Sequence, residues 1–158
     1  MLPASVKADD LASVVEFISA ARSGIVATVT AVGRPEAAFV GLAILDDATL
    51  IFNTHEDARK IANLRASEHV AVVVGTAGAV TIQIEGVARI VEGDERESYG
   101  AEYIRQRPGS RARSTGFSVV VIQPTWIRVY DTTTHTPTVT EATMLRTVKP
   151  VAAEPHSA

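Results

Sequence analysis

Short β-branched and apolar runs separated by turn residues constrain the fold of this chain more than any other feature. Val, Ile and Ala fill the runs while Gly, Pro and Asp stand between them, a pattern typical of strands joined by tight turns. The runs cover residues 25–31, 37–45, 49–53, 69–76, 80–91, 117–123 and 125–131. Gly86 predicts a bulge, and the two runs around Pro124 are compatible with one bent strand. About six antiparallel strands with few helices predict a mainly β fold, a closed barrel with short peripheral helices.

Three segments outside the strand-like runs have helical character. The first follows two aspartates that predict an N-cap, and its apolar residues have the spacing of one buried helix face: Leu11, Val14, Val15 and Ile18. The second covers residues 56–66, where Thr54 and Asp57 fit a variant of the capping box with Thr54 as N-cap. The third covers residues 93–107 and is rich in charge. Strands and helices do not alternate as in a βαβ fold. We therefore expect the helices to pack on the outside of a barrel and not to connect the strands of a parallel sheet.

Length and composition predict one domain and a tail. A chain of 158 residues can bury one sizeable core. We expect the barrel domain to occupy residues 1–131. Residues 132–158 are dominated by Thr, Pro and Ala and predict an extended or disordered tail, strand-like only near residues 138–140.

Charge and composition exclude several classes of protein. The net charge of −3 argues against a general nucleic-acid binder, which carries a basic field. The chain has no cysteine, which excludes disulfides, thiolate metal ligands and a cysteine nucleophile. No run approaches the roughly 18 apolar residues of a membrane span, so we expect no membrane partner. The first residues lack the pattern of a secretory signal, and we expect a cytoplasmic protein.

Few residues form a pattern that predicts catalysis or metal binding. The four histidines are scattered at His55, His69, His135 and His156, without the spacing of a zinc site. No G-x-S-x-G motif is present, so a serine hydrolase is unsupported. We therefore predict no catalytic side chain and no metal ligand.

The segment Phe52 to Leu64, FNTHEDARKIANL, is the strongest candidate for a binding site. A phosphate is favoured where the N–H groups of a helix start meet cationic side chains, and Arg59 and Lys60 stand at such a start. Thr54 adds a hydroxyl at the end of the preceding strand. Arg-Lys pairs are also common on the solvated face of amphipathic helices, so periodicity alone leaves both interpretations open.

Several short motifs occur in the order and at the spacing of one known family. Phe52-Asn53-Thr54 ends a strand, and Ala58-Arg59-Lys60 follows at a fixed interval. Upstream, Gly33-Arg34-Pro35 makes the turn between the first two strands; downstream, residues 82–88 end in a Gly-Val-Ala step and residues 124–130 form a closing strand. Over residues 9–131 the chain resembles the pyridoxamine 5'-phosphate oxidase-like family of FMN-binding split β-barrels.

This resemblance implies a set of cofactor-binding residues and a homodimer with the cofactor between its subunits. The FMN phosphate would be held by Asn53, Thr54, Arg59 and Lys60. The second strand would run beside the flavin ring and contribute Ala38, Phe39, Val40 and Gly41. Thr81 stands where the family has a ribityl-contacting Gln, Gln83 on the same strand face could substitute for it, and Tyr130 takes the place of a flavin-side Trp.

Departures from the family pattern point away from vitamin B6 oxidation. Ala38 and Ala43 replace cationic residues of the oxidases, Ala58 replaces a phosphate-binding Ser, and the C-terminal Arg/His signature for substrate phosphate is missing. Fewer charge-assisted hydrogen bonds are then available for a phosphorylated pyridoxamine. We expect an FMN-dependent oxidoreductase acting on an unidentified small molecule, since hydride transfer to or from the ring needs no side-chain base. The alternatives are an F420-dependent reductase of the same fold, or a non-catalytic flavin- or haem-binding protein.

Overall fold

A computed structural model describes residues 5–145 of the chain. Within these residues it contains three helices and eight strands. The helices are α1 (Leu11–Ala21), α2 (Arg59–Ala66) and α3 (Gly93–Gln106). The strands are β1 (Ser23–Val29), β2 (Pro35–Gly41), β3 (Ala43–Ile44), β4 (Leu50–His55), β5 (His69–Val74), β6 (Val80–Val91), β7 (Phe117–Asp131) and β8 (Thr138–Thr143). No helix in the described part of the chain combines the length and the apolar character needed to cross a bilayer.

All strands join one antiparallel sheet that curls into a split barrel. The order is β2-β1-β5-β6-β7-β4-β3, and β8 pairs with β7. β2 and β3 lie at opposite ends of this order, yet Leu42 alone connects them, so the sheet must bend until its two ends meet. The predicted fold class is confirmed; the strand expected over residues 37–45 is divided at Leu42 into β2 and β3.

β7 is the strand that organises the barrel. It is a single strand of 15 residues, as the run around Pro124 allowed. β6 pairs along one side of it, with a register shift between Glu85 and Gly86 where a bulge was predicted. On its other side, the first half pairs with β4 and the second half with β8. A carbon at the Cβ position of Gly86 would lie 2.7 Å from the Gln123 carbonyl oxygen, so the bulge requires glycine.

Branched aliphatic side chains fill the interior, because alternate residues of each strand point to the same side. The largest side chains buried there belong to Ile18, Leu50, Phe52, Ile61, Ile82, Ile84, Ile122 and Ile127. A second, smaller cluster lies on the outside of β3, β4 and β7, where α3 covers the sheet with Tyr103. The N-cap predicted for α1 is Asp10, whose carboxylate accepts from the Ser13 N–H at 3.3 Å.

The predicted capping box at Thr54 is wrong. Thr54 lies inside β4, where it pairs with Ser118, and the strand continues to His55 opposite Phe117. α2 begins at Arg59 instead, after Ala58, which has no side-chain capping bond. The cross-strand bonds to β7 extend β4 past the point where local capping chemistry places a helix, so the interstrand pairing overrides the capping signal.

The strand-like piece predicted near residues 138–140 is β8, and it is longer than expected. It pairs with β7 from Thr138 opposite Asp131 to Thr143 opposite Trp126. The Ala8 N–H donates to Thr140 Oγ1 at 2.9 Å, so the segment before α1 is attached to this strand. The sheet thus extends past residue 131, the boundary that composition suggested. The tail interpretation of residues 146–158 lies outside the described residues.

Candidate functional site

A cavity of about 510 Å³ lies between the edge strand β2 and the start of α2. Its lining comprises Val26, Thr28, Glu36, Ala37, Ala38, Arg59 and Lys60. Ile61 and Leu64 of α2 are buried in the core and hold the helix against the barrel. This packing places Arg59 and Lys60, the first two residues of α2, at the cavity.

Lys60 and Thr54 meet beside this cavity. Lys60 Nζ donates to Thr54 Oγ1 at 3.3 Å. The side chain of Arg59 is 84% exposed at the rim. A guanidinium, an ammonium and a hydroxyl therefore lie together at a helix start, a combination suited to an oxyanion such as phosphate.

Glu36 is a member of this cavity that the sequence did not single out. Its carboxylate forms an ion pair with the Arg59 guanidinium. Asn63 Nδ2 donates to Glu36 Oε2 and to Thr28 Oγ1, each at 2.9 Å. Asn63 and Thr28 are buried, so this hydrogen-bonded pair is a fixed anchor for the carboxylate. The sequence pattern that could have identified Glu36 is the alternation of β2, which places Glu36 on the same inward face as Ala38.

β2 offers the cavity an open backbone edge. Among the described residues it pairs only with β1. The Thr30 N–H donates to the Arg34 carbonyl at 2.8 Å, and the alternation of an antiparallel ladder then turns the backbone groups of Pro35, Ala37 and Phe39 away from β1. Pro35 tolerates this place because its nitrogen has no hydrogen to donate. The N–H and C=O groups that follow are free to bind a planar polar ligand.

The C-terminal end of α3 holds the junction between β2 and β3. The Tyr103 hydroxyl donates to the Gly41 carbonyl at 3.1 Å, and Arg107 donates to the Leu42 carbonyl at 2.9 and 2.7 Å. Gln106 both accepts from the Ile44 N–H at 3.1 Å and donates to its carbonyl at 2.9 Å. Burial raises the pKa of Tyr103, which favours the protonated hydroxyl that donates this bond. These contacts fix the end of the open edge.

Glu102 accepts a hydrogen bond from Gln106 of this clamp, and its ionisation makes the stability of the protein depend on pH. Hydrogen bonds from Arg105, and then from Gln106, lower the pKa of Glu102 from 4.5 to about 2. Because the pKa is lower in the folded state, the ionised carboxylate stabilises the fold fully at a pH above its unfolded pKa of 4.5. This stabilisation is lost as the pH falls from 4.5 toward 2. We expect Glu102→Gln to lower the free energy of unfolding at neutral pH by about 1 kcal/mol, a modest amount because the pair of Glu102 and Arg105 is partly solvated.

Urea unfolding at pH 5.5 and pH 3 would measure this contribution. The wild-type protein should lose more stability between the two pH values than Glu102→Gln does. Glu68→Gln, at an exposed position before β5, is the control and should behave as the wild type. An equal pH dependence in all three proteins would contradict the assignment.

Comparison with known proteins shows the family to which the chain belongs. Residues 11–131 match the sequence profile described as pyridoxamine 5'-phosphate oxidase. The chain belongs to the pyridoxamine 5'-phosphate oxidase family. The match covers α1 through β7 and confirms the family that the motifs around Arg59 and Lys60 predicted. Among curated proteins, none is similar enough in sequence to match the chain.

Solved structures agree with this membership at the level of the fold. A haem-binding protein from Mycobacterium smegmatis is 22% identical with a TM-score of 0.68, over 85% of this chain and 58% of that one. A putative pyridoxamine 5'-phosphate oxidase from Listeria innocua is 21% identical with a TM-score of 0.64, over 75% and 96% of the two chains. An FMN-binding pyridoxamine 5'-phosphate oxidase-related protein from Nostoc punctiforme is 13% identical with a TM-score of 0.57, over 80% and 88%. The chain thus spans less than two thirds of the Mycobacterium protein.

The structure brings together only part of the predicted cofactor site of this family. Ala38, Arg59 and Lys60 line the cavity, and Thr54 contacts Lys60. Val40, on the same strand as Ala38, is buried in the core. Asn53, the neighbour of Thr54 on β4, accepts from the Ser110 hydroxyl at 3.5 Å.

The other predicted residues lie on the outer face of the sheet. Thr81 and Tyr130 are cross-strand partners on β6 and β7, and Phe39 is 73% exposed on β2. Register joins Phe39 to Gln83 through Ile25 and Val73. Three strand spacings, roughly 14 Å, therefore separate Phe39 from Gln83 within one chain.

The small residues Ala38, Gly41 and Ala43 have different surroundings. Ala38 lines the cavity, whereas Ala43 is buried beneath α3. A Cβ atom on Gly41 would lie 2.9 Å from the Tyr103 hydroxyl, so the clamp favours glycine there. Among residues 5–145, no group of three His, Asp or Glu side chains is placed to hold a metal ion.

Proposed function

We propose that this protein binds FMN in the cavity beside β2 and is a flavin-dependent oxidoreductase. The observation that carries the proposal is the cationic pair Arg59 and Lys60 standing next to the open backbone edge of β2. A phosphate fits the pair and the Thr54 hydroxyl, while backbone N–H and C=O groups suit the polar edge of an isoalloxazine ring. F420, a deazaflavin, is the alternative cofactor.

In this proposal the side chains bind and orient, and none acts as a general base. Arg59 and Lys60 bind the ligand phosphate, and the clamp of Tyr103 and Arg107 keeps the strand edge in place. When bound, the flavin would supply hydride transfer at its ring. The small residue Ala38 leaves room for a substrate beside the strand.

We further propose that two copies of the chain complete the site, as the resemblance to the family implies. Thr81, Gln83 and Tyr130 lie on the outer face of the sheet, apart from the cavity of their own chain. Large apolar side chains are also exposed on that face: Phe39 is 73%, Val139 48% and Tyr130 39% exposed. Burying such a patch in a homodimer would give these three residues a route to the partner's cofactor.

Purification with cofactor identification tests the proposal directly. We expect a yellow protein with one FMN per chain and a mass in solution of about two chains. Bleaching by an added nicotinamide cofactor would support the oxidoreductase, and a bound flavin that no donor reduces would restrict the protein to flavin binding. A colourless protein that takes up neither FMN nor F420 would overturn the proposal.

Haem binding is the second candidate, and His69 is the observation in its favour. His69 lines a second cavity of about 470 Å³ on the outer face, together with apolar residues such as Ala27, Val29 and Ala71. Histidine is an axial ligand of haem iron in several classes of haem protein. A Soret band after addition of haem, lost in His69→Ala but kept in His55→Ala, would favour this function over the flavin.

A further inference from the structure

We propose that Glu36 is a specificity-determining residue that makes the cavity discriminate between anions by charge. Resting on the proposed function, this assignment concerns the ligand class that the same site prefers. Glu36 lowers the affinity for a dianionic phosphomonoester more than for a monoanionic phosphodiester. A ligand without a charged group is indifferent to it.

The carboxylate of Glu36 is held in the cavity by its neighbours. Asn63 donates to it at 2.9 Å, and the same amide nitrogen donates to Thr28 at 2.9 Å. Asn63 is 6% and Thr28 2% exposed. A carboxylate anchored to buried groups cannot turn out into solvent without breaking this hydrogen bond. Glu36 therefore stays within the field of any anion that enters.

Arg59, the partner of Glu36, is free to exchange one anion for another. Its side chain is 84% exposed, against 23% for Glu36. Exposed ion pairs are worth little because water solvates both charges. An incoming phosphate can thus take over the guanidinium at small cost, while the anchored carboxylate keeps its position.

The charges that line the cavity then decide which anion fits. Arg59 and Lys60 carry one positive charge each and Glu36 one negative charge, which leaves a net charge of +1 among the lining residues. A phosphodiester monoanion balances this charge. A phosphomonoester, which is close to a dianion above pH 7, exceeds it and is repelled by Glu36 twice as strongly.

Three flavins with the same ring system and a different charge on the ribityl chain test this proposal. Riboflavin is neutral, riboflavin 4',5'-cyclic phosphate is a monoanion, and FMN at pH 8 is a dianion. Their affinities for the wild-type protein and for Glu36→Gln can be measured by quenching of flavin fluorescence at low salt. We expect Glu36→Gln to leave the affinity for riboflavin unchanged. Its affinity should rise about threefold for the cyclic phosphate and about tenfold for FMN. Added salt should shrink both gains.

Matched variants complete the test. Glu16→Gln removes the same charge from an exposed position of α1 and should change none of the three affinities. Glu36→Ala should reproduce the graded order if the amide of Glu36→Gln disturbs folding. Weaker binding of FMN to Glu36→Gln would overturn the proposal, because it would mean that Glu36 orients Arg59 for the phosphate. Equal effects on all three flavins would overturn it as well. If neither protein binds any flavin, the proposed function fails and this assignment with it.

Discussion

Replacing Arg59 and Lys60 together by alanine is expected to weaken FMN binding by at least about 100-fold. A hydrogen bond to a charged group contributes about 1.5–3 kcal/mol, and the two side chains offer at least one each. Arg59 should contribute the lower value of this range, because its side chain is 84% exposed and already paired with Glu36. Lys60, which contacts Thr54 at 3.3 Å and carries no ion pair to Glu36, should account for the larger share. Titration of flavin fluorescence on the double variant measures the total loss, and titration of Arg59→Ala and Lys60→Ala measures the share of each side chain.

Arg65→Ala is the matched control for this double variant. Arg65 lies on the same helix, in its last turn, and is exposed. It removes an equal charge per residue without touching the cavity, and FMN affinity should stay within about twofold. Riboflavin should bind the double variant as well as the wild type, since it has no phosphate. If the double variant kept its FMN affinity within threefold, the Arg-Lys pair would belong to the solvated face of α2.

Replacing Gly75 by alanine is expected to destabilise the protein by about 3 kcal/mol or more. Gly75 directly follows β5 and has a φ of +87°, a conformation that residues with a Cβ atom adopt at a cost. The added Cβ atom would lie 2.3 Å from the Val80 carbonyl oxygen and 3.0 Å from the ring of Phe17. The carbonyl is backbone, so relief requires the hairpin between β5 and β6 to shift. Urea unfolding measures the loss.

Gly78→Ala provides the comparison within the same hairpin. No atom lies within 4 Å of a Cβ atom at Gly78, and its φ is not in the left-handed range. Alanine there restricts the unfolded chain without strain, and stability should stay equal or rise by about 0.4–1 kcal/mol. Similar losses at both positions would show that the hairpin does not depend on the conformation of Gly75.

The strands and the cationic pair could be predicted from the sequence because their signals are local. β-branched runs and turn residues mark β1, β4, β5, β6 and β7 to within a few residues. The pattern of the helix alone leaves the role of Arg59 and Lys60 open, and the resemblance of their spacing from Phe52-Asn53-Thr54 to the family motif points to a phosphate site. The start of α2 was misplaced, since the pairing of β4 with β7 at His55 involves residues far apart in the chain.

Only the tertiary structure decided which groups share the cavity. Glu36 and Arg59 are 23 residues apart, and Arg107 lies 65 residues from the Leu42 carbonyl that it binds. No local pattern predicts either pair, because the curling of the sheet and the docking of α2 and α3 create them. The sequence alone determined a β-barrel of this family with a basic helix start. The fold then placed a carboxylate, anchored by Asn63 and Thr28, next to that basic pair.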